Sequence, residues 1–330
     1  MAENSKISWT DHTFNPWIGC TKVSPGCKYC YAETLMDHRY GKVKWGPQGK
    51  RVRTSAALWK KPLQWNNWNW YECNCGWRGL NDNSHSHRFL NTDKSMFLKH
   101  ARARVFCSSL ADVFENKPDQ REEMSQWRED LFKLIEATPN LDWLLLTKRP
   151  ENVISMTIWN APGCRMPDNV WIGTSVENQK EADERIPKLL KVPAKIRFLS
   201  CEPLLEPVDL FNVRYNDYNL NVLSRRYSTL KNKTTDDGTW GSFGMASLGK
   251  IDWVISGGES GPKARPVMTD WIRSLRDQCQ QAGTPYHFKQ WGEWSPCIDR
   301  DGLQTNDMVR LGKHAAGRLL DGREWNEFPS

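Results

Sequence analysis

The chain has 330 residues, among them ten Cys and eighteen Trp, and its 46 Lys and Arg against 39 Asp and Glu give a net charge of +7. This length suits one large α/β domain or two small ones. The sequence has no apolar run of the roughly 18 residues that a membrane span needs, and no secretory signal. We therefore expect a cytoplasmic protein with no membrane partner, in which cysteines serve as metal ligands rather than disulfides.

Short apolar runs recur along the chain and predict buried strands. They begin at Arg104, Leu141, Val170, Lys195, Ile251 and Tyr286. Between them, helical periodicity predicts helices at residues 121–138 and 269–283, the second with Thr269 as N-cap and Gly283 as stop signal. Repeated strand–helix–strand units predict a parallel sheet, either an open sheet or a complete or partial (β/α) barrel.

Polar residues follow these strands, where parallel α/β sheets carry their chemistry. Turn formation accounts for one or two of them, but not for two lysines and three glutamates after apolar runs. We expect them to line one basin. The residues are Ser108, Ser109, Asp112, Lys148, Ser175, Glu177, Cys201, Glu202, Glu259 and Lys289.

Two segments interrupt the pattern, at residues 41–100 and 212–250. The first is rich in Trp, Asn and Lys, and the second is polar, with basic residues and glycines. We interpret both as insertions into a single domain that spans residues 1–330. Such insertions often carry substrate contacts, and a solvated loop is the alternative.

The strongest local signal is the spacing of Cys20, Cys27 and Cys30 on a Pro-Gly loop that leads into a helix. A structural zinc needs a fourth ligand, whereas a [4Fe-4S] cluster bound by three cysteines leaves one iron free for a substrate or cofactor. The spacing therefore favours the cluster. A zinc knuckle completed by a distant His or Cys is the alternative.

A second candidate metal site lies in the first insertion. Cys-x-Cys and His-x-His pairs about ten residues apart predict a four-ligand structural zinc site, although their spacing is tighter than usual. The predicted ligands are Cys73, Cys75, His85 and His87.

The cysteine motif and other segments resemble a known family. Tyr29, directly before the last cysteine, is typical of radical S-adenosylmethionine (SAM) enzymes, although the first gap is longer than theirs. The chain resembles the phage Gp37/Gp68 family of radical-SAM-like three-cysteine proteins and, more distantly, spore photoproduct lyase. The matching segments are ISWTDHTFNPWIGC (7–20), LLLTKRP (144–150), WIGTSVE (171–177), FLSCEP (198–203), VISGGESG (254–261), FKQWGEW (288–294) and AGRLLDGR (316–323).

The resemblance implies a partial (β/α) barrel of the radical SAM type with SAM bound to the cluster. It implies that polar strand-end residues hold SAM through hydrogen bonds and ion pairs. Its amino group would contact Ser108, Ser109 and Asp112, its carboxylate Lys148, and its ribose Ser175 or Glu177.

Four further residues are predicted to face the substrate. Glu202, Glu259 and Lys289 are candidates for substrate binding or proton transfer. The sequence Gly-Gly-Glu ending at Glu259 is similar to a SAM-binding element of related enzymes, but it follows a late strand rather than an early one. Cys201 is a candidate hydrogen-atom donor, and a buried apolar cysteine is the alternative.

These expectations lead to two functions. The first is a radical SAM enzyme that acts on a nucleic-acid component or nucleotide. Its partners would be a reductant for the cluster and a three-Cys-motif protein. If the protein is encoded by a phage, it would work in the host cytoplasm. The second is a non-catalytic iron–sulfur or zinc protein that binds nucleic acid. The positive charge and the tryptophans suit both, because cations attract phosphates and aromatic rings stack on bases.

Overall fold

A computed structural model describes residues 3–73, 77–80, 98–161, 164–224, 226–229 and 249–329. Its strands are β1 (His12–Thr13), β2 (Trp17–Ile18), β3 (Val52–Arg53), β4 (Trp70–Cys73), β5 (Arg78–Leu80), β6 (Leu98–Ala101), β7 (Ala103–Cys107), β8 (Leu141–Thr147), β9 (Val170–Ser175), β10 (Ile196–Cys201), β11 (Val213–Tyr215), β12 (Tyr218–Asn221), β13 (Arg226–Thr229), β14 (Trp253–Gly257), β15 (Tyr286–Gln290), β16 (Trp294–Ile298) and β17 (Gln304–Arg310). Its α-helices are α1 (Tyr31–Glu33), α2 (Ala56–Trp59), α3 (Lys61–Trp65), α4 (Arg121–Glu136), α5 (Val153–Met156), α6 (Gln179–Leu189), α7 (Thr269–Ala282) and α8 (Lys313–Ala316).

The main sheet is a curled parallel half-barrel of seven strands in a mixed α/β fold. Its spatial order is β1-β7-β8-β9-β10-β14-β15, and every neighbouring pair is parallel. Because the spatial order follows the chain order, the sheet winds in one direction. Because the strands are parallel, all of their carboxyl ends meet at one edge. Six of these strands match the predicted ones, and β1 was not predicted.

The two predicted helices are α4 and α7. Helix α7 ends at Gly283, whose φ of 66° is the left-handed conformation expected of a stop signal. The N-cap prediction was wrong, because Met268 occupies that position without a side-chain cap. Thr269 lies inside the helix, and its hydroxyl donates to Thr305 O at 2.5 Å instead.

The two faces of the sheet have different cores. The outer face packs in the larger core, which also contains residues of α4, α6 and α7. On the inner face lies an aromatic cluster, which we call the aromatic plug: Trp9, Phe106, Trp171, Phe198 and Trp253. Gly173 makes room for this cluster, because a Cβ there would lie 2.4 Å from the Phe198 ring. Beyond the plug, toward the carboxyl edge, the inner face becomes polar.

Both insertions contain a small antiparallel sheet. In the first, β5-β4-β6 leads directly into the amino end of β7, and in the second β11, β12 and β13 form the sheet. The small sheet of the first insertion therefore lies at the amino end of the half-barrel, whereas residues 46–51 of the same insertion reach the carboxyl edge, where the Gly46 N–H donates to Cys20 O at 3.0 Å and Arg51 Nη2 donates to Thr21 Oγ1 at 2.6 Å. Across the ranges described above, no helix is long and apolar enough to cross a membrane.

Candidate functional site

The cysteine loop, residues 20–30, is anchored at both ends beside the end of β7. Before the loop, the Gly19 N–H donates to Leu110 O at 3.0 Å. After the loop, the Tyr31 hydroxyl donates to Ser109 O at 2.6 Å. The loop thus starts and ends at the carboxyl edge of the main sheet.

Three carboxylate–arginine pairs hold the rest of the loop, and we call them the loop clamp: Asp112–Arg149, Glu177–Arg185 and Glu259–Arg265. Arg149 Nη2 donates to Thr21 O at 2.8 Å. The Ser24 hydroxyl donates to Glu177. Arg265 Nη2 donates to Pro25 O at 3.1 Å. Because the three acids follow β7, β9 and β14, the clamp fastens the loop across the mouth of the half-barrel.

Asp112 has no acceptor position left for a ligand. One carboxylate oxygen accepts from the Thr147 hydroxyl at 2.7 Å and the Phe114 N–H at 3.0 Å. The other accepts from Arg149 Nη1 at 2.8 Å and the Lys148 N–H at 3.1 Å. The side chain is buried. This geometry assigns Asp112 to the clamp rather than to the amino group of SAM.

Glu177 is also taken up by the clamp. It is fully buried, and Arg185 Nη1 donates to it at 2.6 Å. Burial raises the pKa of this carboxyl, but Lys148 and Arg185 outweigh burial and hold the pKa below its usual value. The loop packs closely on it, since a Cβ at Gly26 would lie 2.5 Å from its carboxylate oxygen. These contacts leave it no free oxygen for a ribose.

Glu259 is likewise held in the loop clamp, after β14. Arg265 donates to its carboxylate through Nε at 2.8 Å and Nη2 at 2.6 Å. The same guanidinium lies 5.1 Å from the centroid of the Tyr29 ring, between Cys27 and Cys30. Glu259 therefore holds the loop instead of facing a substrate.

The two serines after β7 are tied together by a residue that the sequence analysis missed. Ser108 Oγ donates to Asn15 Oδ1 at 3.0 Å, and Asn15 Nδ2 donates to Ser109 Oγ at 3.0 Å. The Leu110 N–H also donates to Asn15 Oδ1, at 2.7 Å. Asn15 lies between β1 and β2, where no spacing signal marks it. It fixes the backbone from which the cysteine loop starts.

Lys148 and Ser175 come together as predicted. Lys148 Nζ donates to Ser175 Oγ at 3.0 Å. No carboxylate lies within ion-pair distance of Lys148 in the described part of the chain. Its charge nevertheless acts on the cysteine loop, because it helps to lower the pKa of the Cys30 thiol against the effect of burial. Lys148 is thus a cation beside the loop with capacity to bind an anionic group.

Glu202 and Lys289, two of the predicted substrate-facing residues, form an ion pair away from the clamp. Lys289 Nζ donates to Glu202 Oε1 at 2.8 Å, and both side chains are half-buried. Gln290 Nε2 donates to the same oxygen at 3.3 Å and to Ser260 Oγ at 2.8 Å. This pair is partly open to solvent and is the charged group of the inner face best placed to meet a substrate.

Cys201 does not belong to this basin. It packs in the core of the outer face with Leu199, whereas Phe198 packs on the inner face. Side chains alternate along a strand, so Cys201 and the next residue, Glu202, lie on opposite sides of the sheet. Cys201 is fully buried, and burial raises its pKa. The structure supports the apolar core cysteine and contradicts the hydrogen-atom donor.

Each thiol of the loop lies beside a different polar group. Arg149 Nη1 lies 3.9 Å from Cys20 Sγ, and Ser24 Oγ lies 3.8 Å from Cys27 Sγ. The backbone N–H groups of residues 32 and 33 bond to the Cys30 thiol. Burial raises the pKa of Cys20 to about 12, with Asp112 and Glu115 adding to the effect and Arg149 opposing it.

Within the described ranges, no three His, Cys, Asp or Glu side chains form a group that could hold a metal ion. In an iron–sulfur cluster, by contrast, each thiolate binds a different iron. Hydrogen-bond donors and positive charge beside such sulfurs are the usual surroundings of cluster ligands. The donor chemistry of the loop therefore fits a thiolate-bound cluster.

The second predicted metal site cannot be assessed from the structure. Cys73 is buried at the end of β4, and Cys75, His85 and His87 lie outside the described residues.

Three tryptophans of the first insertion, Trp65, Trp68 and Trp70, pack around the ring of His12 in β1. Trp65 stacks on the His12 ring at 4.3 Å, and Trp70 lies edge-on to the same ring. Trp68 lines an open cleft of about 360 Å³ together with Tyr71. This cleft lies beside the small sheet β5-β4-β6, which leads into the amino end of β7.

Comparisons with known proteins give one family and no characterised relative. No curated protein and no solved structure matches the chain. Residues 4–329 match the family described as "Protein of unknown function (DUF5131)". Because the match covers nearly the whole chain, the protein belongs to the DUF5131 family.

Proposed function

We propose that this protein is a radical SAM enzyme whose half-barrel is of the radical SAM type. Cys20, Cys27 and Cys30 would bind a [4Fe-4S] cluster, which supplies the electron for reductive cleavage of SAM. One observation carries the proposal: the cysteine loop is clamped over the carboxyl edge of a parallel half-barrel, with Lys148 and Arg149 beside its thiols.

The residues beside the loop suit the binding of SAM. No carboxylate of the described chain lies within ion-pair distance of Lys148, although its charge acts on Glu177, so its ammonium can pair with the carboxylate of SAM. Ser175, its hydrogen-bond partner, is available to a ribose hydroxyl. The aromatic plug closes the other end of the inner face, so water and substrate reach the site from the carboxyl edge.

The Glu202–Lys289 pair serves the substrate. With Nζ and Oε1 2.8 Å apart, the pair offers a substrate a hydrogen-bond donor and an acceptor side by side. Gln290 fixes the carboxylate through the same oxygen. The proposed substrate is a nucleic-acid component or nucleotide, which the net charge of +7 supports.

Anaerobic reconstitution with iron and sulfide tests the proposal. We expect a brown protein with about four irons per chain that cleaves SAM when reduced. The variant with Cys20, Cys27 and Cys30 all changed to Ser should stay colourless. Cys164→Ser is the matched control, because Cys164 is an exposed cysteine outside the loop and its loss should change nothing.

A colourless wild-type protein that binds only zinc after the same treatment would overturn the proposal. It would instead support the non-catalytic zinc protein. A brown protein that leaves SAM intact under reduction would support a non-catalytic iron–sulfur protein, and binding of labelled single-stranded oligonucleotides would then be the next measurement.

A further inference from the structure

Arg149 differs from the other two arginines of the loop clamp. Its guanidinium bridges two parts of the loop start, with Nη2 2.8 Å from Thr21 O and Nη1 3.9 Å from Cys20 Sγ. Arg265 reaches a backbone carbonyl of the loop, and Arg185 contacts acids and the backbone of β9. Among the described clamp arginines, Arg149 is thus the one that contacts a thiol.

Arg149 is held rigidly behind the loop. Nη1 also donates to Asp112 at 2.8 Å, and Nη2 lies 3.7 Å from Glu115 Oε1. Glu115 is itself fixed by two bonds of 2.7 Å from Arg51, a fully buried side chain. A planar guanidinium with several donors can satisfy these partners together, which a single ammonium cannot.

The three thiols therefore have unequal electrostatic surroundings. Cys20 has the guanidinium of Arg149 at contact distance, with the carboxylates of Asp112 and Glu115 nearby. Cys27 has the neutral Ser24 hydroxyl, and Cys30 has backbone N–H groups and the more distant charge of Lys148. A cation and a hydrogen bond at a ligand sulfur favour the reduced, more negative form of a cluster. Arg149 exerts this effect on the first cysteine of the motif, and without it Asp112 and Glu115 would act there unopposed.

We infer that Arg149 is a positioning residue that holds Cys20 as a cluster ligand and raises the reduction potential of the cluster. The inference rests on the proposed function, because it requires the cluster to be there. It goes further by naming the residue that sets how readily the site accepts an electron.

The test compares Arg149→Gln and Arg149→Lys with wild-type protein after anaerobic reconstitution. Redox titration followed by electron paramagnetic resonance gives the midpoint potential and the spectrum of the reduced cluster, and a chelator gives the rate of iron loss. Arg128→Gln is the matched control, since Arg128 is equally buried and bonds to Glu115 O but contacts no cysteine of the loop.

For Arg149→Gln we expect a more negative potential, an altered spectrum and iron loss faster by about 10- to 100-fold. Arg149→Lys keeps the positive charge but loses the planar guanidinium with its several donors. Its midpoint potential should therefore lie near that of wild type, while its iron is lost faster. Either variant can decide the question if the other does not fold.

Three outcomes would overturn this inference while leaving the proposed function intact. They are a wild-type midpoint potential in Arg149→Gln, a wild-type rate of iron loss in Arg149→Lys, or a shift of the midpoint potential in Arg128→Gln as large as that in Arg149→Gln. A wild-type protein that takes up no cluster would overturn the proposed function together with it.

Discussion

The change Asp112→Asn separates a structural carboxylate from a ligand-binding one. The substitution keeps the shape of the side chain but turns one acceptor oxygen into an NH₂ group. In one orientation the NH₂ faces the Lys148 N–H and Arg149, and in the other it faces the Thr147 hydroxyl and the Phe114 N–H. In the first orientation two buried donors lose their acceptor, and in the second the Phe114 N–H loses it while the Thr147 hydroxyl can turn and accept.

The cost follows from burial, because Asp112 is only 5% exposed. A buried donor left unpaired costs about 1–3 kcal/mol. Breaking a buried ion pair by removing one partner costs about 3–5 kcal/mol, which already includes the lost bonds to Arg149. We therefore expect Asp112→Asn to lower the free energy of unfolding by about 3–5 kcal/mol.

Urea unfolding of the reduced, metal-free protein measures this free energy without any cofactor. Lys148→Met is the control, since Lys148 makes one side-chain hydrogen bond and should cost about 1 kcal/mol or less. If the free energy of unfolding of Asp112→Asn lies within about 0.5 kcal/mol of the wild-type value, the carboxylate does not stabilise the fold. The reasoning would then be refuted, and Asp112 would again be a candidate for the amino group of SAM.

Two further substitutions test other parts of the structure. His12 is fully buried, and both of its ring nitrogens are unpaired. Burial lowers its pKa to about 4, because the charged imidazole is desolvated. Wild type should therefore lose about 3 kcal/mol of stability as the pH falls from about 6.5 to 4. His12→Phe keeps a ring on Trp65 and should flatten this loss in urea unfolding at pH 7 and pH 4.5, whereas an unchanged slope would disprove the assignment. Gly26→Ala should cost about 1–3 kcal/mol by overlap with Glu177. Glu177→Asp in the same chain should cost less than the two single changes added, and strict additivity would contradict the overlap.

The sheet was largely predictable because its central strands are continuous apolar runs, as expected of parallel strands buried on both faces. Strand β1 was missed because it consists of only His12 and Thr13. Its place in the sheet depends on its ladder with β7 and on Trp65 of the first insertion, which covers the His12 ring. Both contacts are distant in sequence, so local pattern cannot report them.

The candidate site was predictable in position but less so in the role of each residue. Polar strand ends do meet at one edge, and the pair of Lys148 and Ser175 was among them. The clamp was missed because Asp112 and its arginine are 37 residues apart, and Glu177 and Arg185 are 8 apart across a loop and a helix. Cys201 was a different kind of error, since strand alternation already places it opposite the residue that follows it.

The loop clamp also sets an order of events during synthesis. The cysteine loop is made first, yet Arg265, which holds Pro25, follows 240 residues later. A chain is synthesised from its N-terminus, so the loop emerges long before its last fastening exists. The clamp therefore cannot be complete until the chain has been made as far as Arg265. Completion of this site is therefore a late step of maturation, because one of its fastenings is made 240 residues after the loop.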